Sequence, residues 1–211
     1  MRLITEPYAV QTARWPQSGR HILAQYDDEK IVVYQAYRPE IGYWAARHGR
    51  FGGPFSLSRM SWIKPNFLWM AYRCGWATKE NQEAILAVSL RREAFESLLA
   101  EAVPSAFTAA RYADEAAWKE ALARSDVRLQ WDPDHAPDGS KVERRAIQLG
   151  LRGNALARYA DEWILGIEDV TAFVTEQRQY AQARDYDRLI TPREDVYPVP
   201  AGIAARVGMT P

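Results

Sequence analysis

Two apolar runs constrain the fold of this chain more than any other feature. Residues 30–38 (KIVVYQAYR) and 83–91 (EAILAVSLR) are rich in β-branched, aromatic and aliphatic side chains and are bounded by polar residues. Short runs of this kind are typical of strands buried in a sheet. Further strands are expected in VRLQWDPDHAPDGS and RRAIQLGLRG, the first of which should end in a turn-rich loop because its Asp, Pro and Gly residues favour turns.

Helices are expected between and after these strands. Apolar spacing and capping residues indicate them in PEIGYWAARHG, IKPNFLWMAYRCG, REAFESLLAEA, DEAAWKEALAR, NALARYADEWI and VTAFVTEQRQYAQARDYDR. The order of elements has no regular βαβα alternation and no internal repeat, which favours an α+β fold over a doubly wound sheet. The sequence therefore predicts a single α+β domain over residues 1–211, with a mixed or antiparallel central sheet packed by helices. Residues 191–211 are proline-rich and are expected to form an extended tail.

The charge balance and the few metal-binding residues exclude several classes of protein. The 27 basic residues equal the 27 acidic ones, which argues against generic adhesion to nucleic acid or anionic membranes but leaves a local basic patch open. One cysteine cannot form an internal disulfide, and the three histidines make no close pair, so no metal site is expected. No apolar run is long enough to span a membrane and no secretory signal is recognisable, so we expect a cytoplasmic protein that does not bind membranes.

The segment SWIKPNFLWMAYRCGW, residues 61–76, places aromatic rings beside polar side chains. Ser61 is expected to cap a helix that is followed by Gly75, with Pro65 in its first turn. The rings are either core residues or the wall of a pocket, because they cannot all lie on one helical face. Five polar residues cluster near the expected start of the helix, where an anion such as phosphate would be favoured: Ser58, Arg59, Ser61, Lys64 and Asn66.

Two strands carry isolated polar residues that could serve a ligand. Arg38 follows the first strand, where it could bind a carboxylate or phosphate or could pair with Glu40. Gln148 lies between apolar neighbours and needs a hydrogen-bond partner from the backbone or from a ligand. The sequence leaves both alternatives open at each position.

The motif QWDPDH offers Asp132, Asp134 and His135 within four residues. These side chains could form an acid–base group or a cation site. The favoured interpretation is an Asx turn, because Asp-Pro and Asp-x-Asp segments bond their own backbone. Cys74 is expected to be a buried thiol rather than a nucleophile, since no histidine is close to it in sequence.

These stretches together resemble a known family. YQAYR, SRMSWIKPNFLWMAYRCGW, QWDPDH, RRAIQLGLRG and IEDVTAFV are similar to the signatures of the domain of unknown function 4291 family, found in bacteria and fungi. The resemblance covers about residues 20–190. The family name implies no activity.

A looser resemblance, to ADP-ribosyltransferases, implies a fold of that kind and NAD as the substrate. In those enzymes an early basic residue and a serine hold NAD, aromatic rings stack on the nicotinamide, and a late acid or amide orients the acceptor. The corresponding positions would be Arg38, Ser61, Trp62 or Tyr72, and Gln148. Because glutamine is not a general base, Glu168 in GIEDV is the substitute acid. The remaining contacts to NAD would come from Tyr37, Arg59, Lys64, Asn66 and Arg73.

Three functions follow as hypotheses. The first is an ADP-ribosyltransferase-like enzyme that acts at the nicotinamide ribosyl bond of NAD, with a nucleobase or nucleotide as the acceptor. The second is a module that binds RNA or single-stranded nucleic acid through aromatic and basic side chains. The third is a non-catalytic interaction protein whose aromatic residues are all core.

Overall fold

A computed structural model describes residues 3–210. Its strands are Thr5–Pro7 (β1), Gly19–Arg20 (β2), Leu23–Ala24 (β3), Lys30–Tyr37 (β4), Ser61–Ile63 (β5), Ala84–Arg91 (β6), Val103–Pro104 (β7), Val127–His135 (β8), Lys141–Leu151 (β9), Ile164–Asp169 (β10), Ile190–Pro192 (β11) and Asp195–Val196 (β12). Its helices are Tyr8–Thr12 (α1), Pro39–His48 (α2), Phe67–Arg73 (α3), Arg92–Glu101 (α4), Glu115–Arg124 (α5), Gly153–Asp161 (α6), Thr171–Ala183 (α7) and Ala201–Val207 (α8).

Two sheets form the centre of the domain. The first has the strand order β10-β6-β4 and is antiparallel throughout. The second has the order β2-β9-β8-β7, in which a long antiparallel hairpin of β8 and β9 is flanked by short parallel pairs. The strand β5 pairs with β9, and the next residue, Lys64, bridges to Tyr34 of β4. Residues 61–64 therefore join the sheets into one curled, mixed sheet packed by helices, as the α+β prediction required.

The first sheet is buried on both faces because its strands are apolar at nearly every position. Side chains alternate along a strand, so Val33 and Val88 enter one apolar cluster with helices α4 and α6. Val32 and Ile85 enter a second cluster with α3 and α7. This double burial explains why the runs predicted as strands are nearly continuous in hydrophobicity.

The two ends of the described chain pair with each other. Strand β1 is antiparallel to β11, and β3 is antiparallel to β12. Trp15 donates its indole N–H to the carbonyl of Glu194 at 2.8 Å. Residues 191–211 were predicted as an extended tail; this is correct for the segment that pairs with β1 and β3, but wrong for α8, which packs on α4.

The prediction of a helix capped by Ser61 is wrong. Ser61 lies in β5, and the helix begins only at Phe67, with Asn66 as its N-cap: the Asn66 side chain accepts a hydrogen bond from the Trp69 N–H at 2.6 Å. Pro65 thus precedes the helix rather than lying in its first turn. The physical reason is that the residue before a proline is driven to extended backbone, so Lys64 continues the strand.

The prediction of an Asx turn at QWDPDH is also wrong. Strand β8 continues to His135 with an irregularity between Pro133 and His135, and the turn-rich residues follow at 136–140. The helices predicted after residue 38 and in REAFESLLAEA, DEAAWKEALAR, NALARYADEWI and VTAFVTEQRQYAQARDYDR are all present. None of the helices in residues 3–210 has both the length and the apolar character needed to cross a bilayer.

Candidate functional site

A cleft of about 990 Å³ opens where residues 61–64 join the two sheets. This volume is at the upper end of the roughly 300–1,000 Å³ usual for small-ligand sites. The residues that matter for its chemistry come from the end of β4 (Gln35, Tyr37, Arg38), the loop after α2 (Phe55, Arg59, Met60), the join (Ser61, Trp62, Lys64), α3 (Trp69, Arg73) and the β8–β9 hairpin (Gln130, Asp132, Gln148).

A hydrogen-bonded group of buried side chains holds Ser61 at one end of the cleft. Tyr159 donates its hydroxyl to Gln35 Oε1 at 2.6 Å, and Gln35 Nε2 donates to Ser61 Oγ at 2.9 Å and to the Tyr37 hydroxyl at 2.7 Å. The Ser61 and Tyr37 hydroxyls also bond each other. Burial raises the pKa of Tyr37 above its ordinary value. Both hydroxyls therefore stay protonated and fixed in position at neutral pH.

A carboxylate stands on the hairpin wall, held by two amides. Gln130 and Gln148 are opposite each other across β8 and β9. Gln130 Nε2 donates to Asp132 Oδ1 at 2.9 Å and Gln148 Nε2 donates to Asp132 Oδ2 at 2.7 Å. Each amide thus occupies one carboxylate oxygen, which fixes the plane of the carboxyl group. No partner for Gln148 could be assigned from the sequence, and the structure shows that it orients the Asp132 carboxylate together with Gln130.

Positive charge is concentrated in the cleft although the protein as a whole is neutral. Four cationic side chains line it, against one carboxylate, that of Asp132: Arg38, Arg59, Lys64 and Arg73. Arg38 lies 3.6 Å from Glu40, but both side chains are exposed, so this ion pair is weak. Arg38 therefore pairs with Glu40, as one alternative predicted, and also borders the cleft, where the other alternative requires it to be.

Lys64 is the most unusual cation of the four. Its residue is only 5% exposed, and within residues 3–210 its ammonium group makes neither an ion pair nor a hydrogen bond. Burial, with a contribution from the charge of Arg73, lowers the pKa of Lys64 to about 8, against the opposing effects of Asp132 and Cys74. Removing an ammonium group from most of its water disfavours the charged form, so Lys64 loses its proton more readily than an ordinary lysine.

Two tryptophans provide flat surfaces. Trp69 is nearly buried, and its indole N–H is without a hydrogen-bond partner within residues 3–210. Trp62 lies against Gly150 of β9, where an added Cβ would be 3.0 Å from the ring and 2.7 Å from Met60 Sδ. Gly150 therefore allows these two side chains to form the wall of the cleft.

Several predicted site residues lie outside the cleft. Asn66 caps α3, and Glu168 lies on β10, where it accepts a hydrogen bond from the Leu3 N–H. Asp134 forms a buried ion pair with Arg144 at 2.6 Å. Tyr72 stacks on His135 with ring centroids 3.5 Å apart. The structure thus separates Asp132 from the other two residues of its motif. His135, three residues further on, faces the other side of the strand, and the irregularity between Pro133 and His135 displaces Asp134 from the face that Asp132 shares.

His135 and Cys74 offer no ready chemistry. His135 is buried, and burial lowers its pKa below the ordinary value. Cys74 is buried as expected, and burial raises its thiol pKa. Across residues 3–210, no three His, Cys, Asp or Glu side chains converge to hold a metal ion.

Six contributors to the site were not singled out from the sequence: Gln35, Phe55, Met60, Trp69, Gln130 and Tyr159. Gln35 carried a usable signal, because an amide in an otherwise apolar strand must have a buried partner. Gln130 did not, since its pairing with Gln148 depends on the register of the hairpin. Tyr159 does not line the cleft but supports Gln35 from a helix more than a hundred residues away in the chain.

A match to a known family covers the whole of the cleft. The profile of a family described as a domain of unknown function (DUF4291) matches residues 21–197, most of the chain. The chain belongs to this family. The match extends past the expected residue 190 and takes in Glu194, which anchors α3: its carboxylate accepts a hydrogen bond from the Phe67 N–H at 2.6 Å. The cleft residues of this DUF4291 domain all lie inside the matched range. No curated protein matches the chain.

Proposed function

We propose that the cleft binds NAD and that the protein is an ADP-ribosyltransferase-like enzyme acting at the bond between nicotinamide and ribose. The observation that carries the proposal is the excess of cationic over anionic side chains in a cleft whose lining also includes the half-buried ring of Trp62. A dinucleotide requires both features: cations for its pyrophosphate and flat apolar side chains for its bases. Cytoplasmic location remains part of this proposal.

The arginines are assigned to the pyrophosphate. Arg38, Arg59 and Arg73 reach the cleft from three different segments, and their side chains are exposed enough to approach a ligand. A guanidinium group can bind phosphate oxygens with two parallel hydrogen bonds. Trp62 and Trp69 are the candidate stacking rings. Ser61, held by Gln35 and Tyr37, would bond the ribose next to the nicotinamide.

Asp132, rather than Glu168, is the carboxylate suited to the reaction. Loss of nicotinamide leaves positive charge on the ribose ring, and an oriented carboxylate in the cleft stabilises that charge. The same group can accept the proton of an acceptor hydroxyl or amine. Gln148 then acts as a positioning residue that keeps the carboxylate aimed at the ligand. Asp132 thus supplies the carboxylate that Gln148, an amide, lacks.

The direct test is calorimetric titration with NAD together with an assay for released nicotinamide. Removing Arg38 with R38A should weaken NAD binding about 10- to 100-fold, the usual effect of deleting a charged hydrogen-bond donor. R47A is the matched control, because Arg47 is exposed on α2, the helix that Arg38 immediately precedes, but does not border the cleft. D132N should leave binding within a few-fold and abolish nicotinamide release. Absence of NAD binding at millimolar concentration by the folded protein would refute the proposal.

A second candidate is binding of RNA or single-stranded nucleic acid. The observation that favours it is the ring of Tyr72, which is 43% exposed and stacks on the buried His135, next to the exposed side chain of Arg73. Bases stack on such rings and phosphates follow nearby cations. Affinity for a short RNA that falls steeply with salt, together with no response to NAD, would support this function. Binding of neither ligand would leave an interaction protein.

A further inference from the structure

The protein is poor in lysine, which makes a lysine in the cleft conspicuous. Of its 27 basic residues only five are lysines, at positions 30, 64, 79, 119 and 141. Lys30 and Lys119 make ion pairs with Asp27 and Glu115. Lys79 and Lys141 are exposed on the surface. Lys64 alone is buried and lines the cleft.

The backbone fixes where the Lys64 side chain begins. Its N–H donates to the Tyr34 carbonyl at 3.2 Å, and its carbonyl accepts from the Tyr34 N–H at 2.6 Å. The ammonium group donates no hydrogen bond to residues 3–210 and forms no ion pair with them. An arginine at this position would keep its charge under all conditions, whereas a lysine can lose its proton and become a nucleophile.

The surroundings make the neutral amine more accessible than it is for a lysine in water. Burial and the positive charge of Arg73 both disfavour the ammonium form, and the pKa falls from its ordinary 10.5 to about 8. At pH 7.4 about one fifth of the molecules then carry a free amine, against roughly one in a thousand for an ordinary lysine. Desolvation beside another cation is a recognised way to activate a lysine for attack on a carbonyl.

We propose that Lys64 is a nucleophilic amine that forms an imine with a phosphorylated aldehyde bound in the cleft. The nitrogen lone pair attacks the carbonyl carbon, a C–N bond forms, and the carbonyl oxygen takes a proton to become a hydroxyl group. Loss of a proton from nitrogen and departure of the hydroxyl as water give the imine. The sum is amine plus aldehyde to imine plus water, with no oxidant or reductant.

The other cleft residues fit the parts of this reaction. Asp132, oriented by Gln130 and Gln148, can carry the proton from the nitrogen to the departing hydroxyl group. Arg59 and Arg73 can hold the phosphate of the aldehyde. The inference uses the same cleft as the proposed function but needs no NAD, so either can fail without the other.

The test uses pyridoxal 5′-phosphate as the probe, with the full-length protein. Equimolar probe is added, the imine is reduced with borohydride, and the labelled lysines are identified by peptide mapping. Label should appear at Lys64 at least tenfold faster than at Lys79 or Lys141, with a rate that rises with pH to a midpoint near 8. K64R should lose this fast labelling and K79R should keep it.

Two further arms separate the alternatives. Pyridoxal without the phosphate should label Lys64 at least tenfold more slowly, because the arginines then have no anion to hold; equal rates would overturn the phosphate requirement. Label spread evenly over the surface lysines of the unmutated protein, or a rate midpoint near that of Lys79, would overturn the proposal. This result does not depend on whether any variant folds. Protection of Lys64 by NAD would bear only on the proposed function.

Discussion

Replacing Gln35 with methionine should lower the free energy of unfolding by about 2–4 kcal/mol. Methionine is similar in size to glutamine, so the loss comes from hydrogen bonds rather than from a cavity. The Tyr159 hydroxyl loses its acceptor, and leaving such a buried group unsatisfied costs about 1–3 kcal/mol. Ser61 and Tyr37 lose one donor but still bond each other, so their contribution is smaller.

The double variant Q35M/Y159F decides whether this reasoning is right. Y159F alone should cost about 1–3 kcal/mol, because it leaves Gln35 Oε1 without its donor. With both groups removed no buried atom of this pair is left unsatisfied, so the double variant should be about 1–3 kcal/mol more stable than additivity predicts. Urea unfolding followed by tryptophan fluorescence measures each value. Q179M, on the exposed side of α7, is the control and should change stability by less than about 0.5 kcal/mol. Additive single effects would refute the network.

Two other predictions concern the cleft wall and the buried acid of the C-terminal segment. G150A should weaken NAD binding several-fold and lower the free energy of unfolding by about 1–3 kcal/mol, because the added Cβ meets Met60 and Trp62. G166A is the control and should change neither quantity, because the space around Gly166 is open. Titration with NAD and urea unfolding measure the two effects. Burial raises the pKa of Glu194 well above its ordinary 4.5, so its contribution to stability is greatest below pH 4.5 and declines as pH rises through the raised pKa. The stability of E194Q relative to the parent should therefore increase above pH 4.5, by up to about 1.4 kcal/mol per pH unit, and a flat difference between pH 4 and 8 would contradict the assignment.

The strands were predictable because hydrophobicity and burial agree along them. The runs that form β4 and β6 are apolar at nearly every position, which is the pattern expected of strands buried on both faces. The error at Ser61 was avoidable in physical terms, since Lys64 precedes a proline, which favours extended backbone, and Asn66 is as good a cap as Ser61. The error at Asp132 was harder to avoid. An Asp-Pro-Asp segment favours a turn locally, and here pairing with β9 overrides that preference.

The cleft was only partly predictable, because it depends on distant segments. Arg38, Ser61 and Lys64 were identified from their local patterns, and the structure brings all three to its lining. The resemblance to ADP-ribosyltransferases implies Glu168 as the substitute acid, whereas Asp132, offered only as part of its own motif, meets Gln148 through the register of a hairpin. Sequence order does not determine which face of a strand meets a cavity, and so it could not choose between them.

The pairing of the two ends of the chain has a consequence for how the domain forms during synthesis. Strands β1 and β3 cannot find their partners until residues 190–196 have left the ribosome. Closing such long loops is slow, because the entropy cost comes before the contacts that offset it. Until then the edges of both strands are open to other chains. A chaperone that holds the N-terminal segment, or a slow step late in refolding, should therefore matter more for this domain than for one with local pairing.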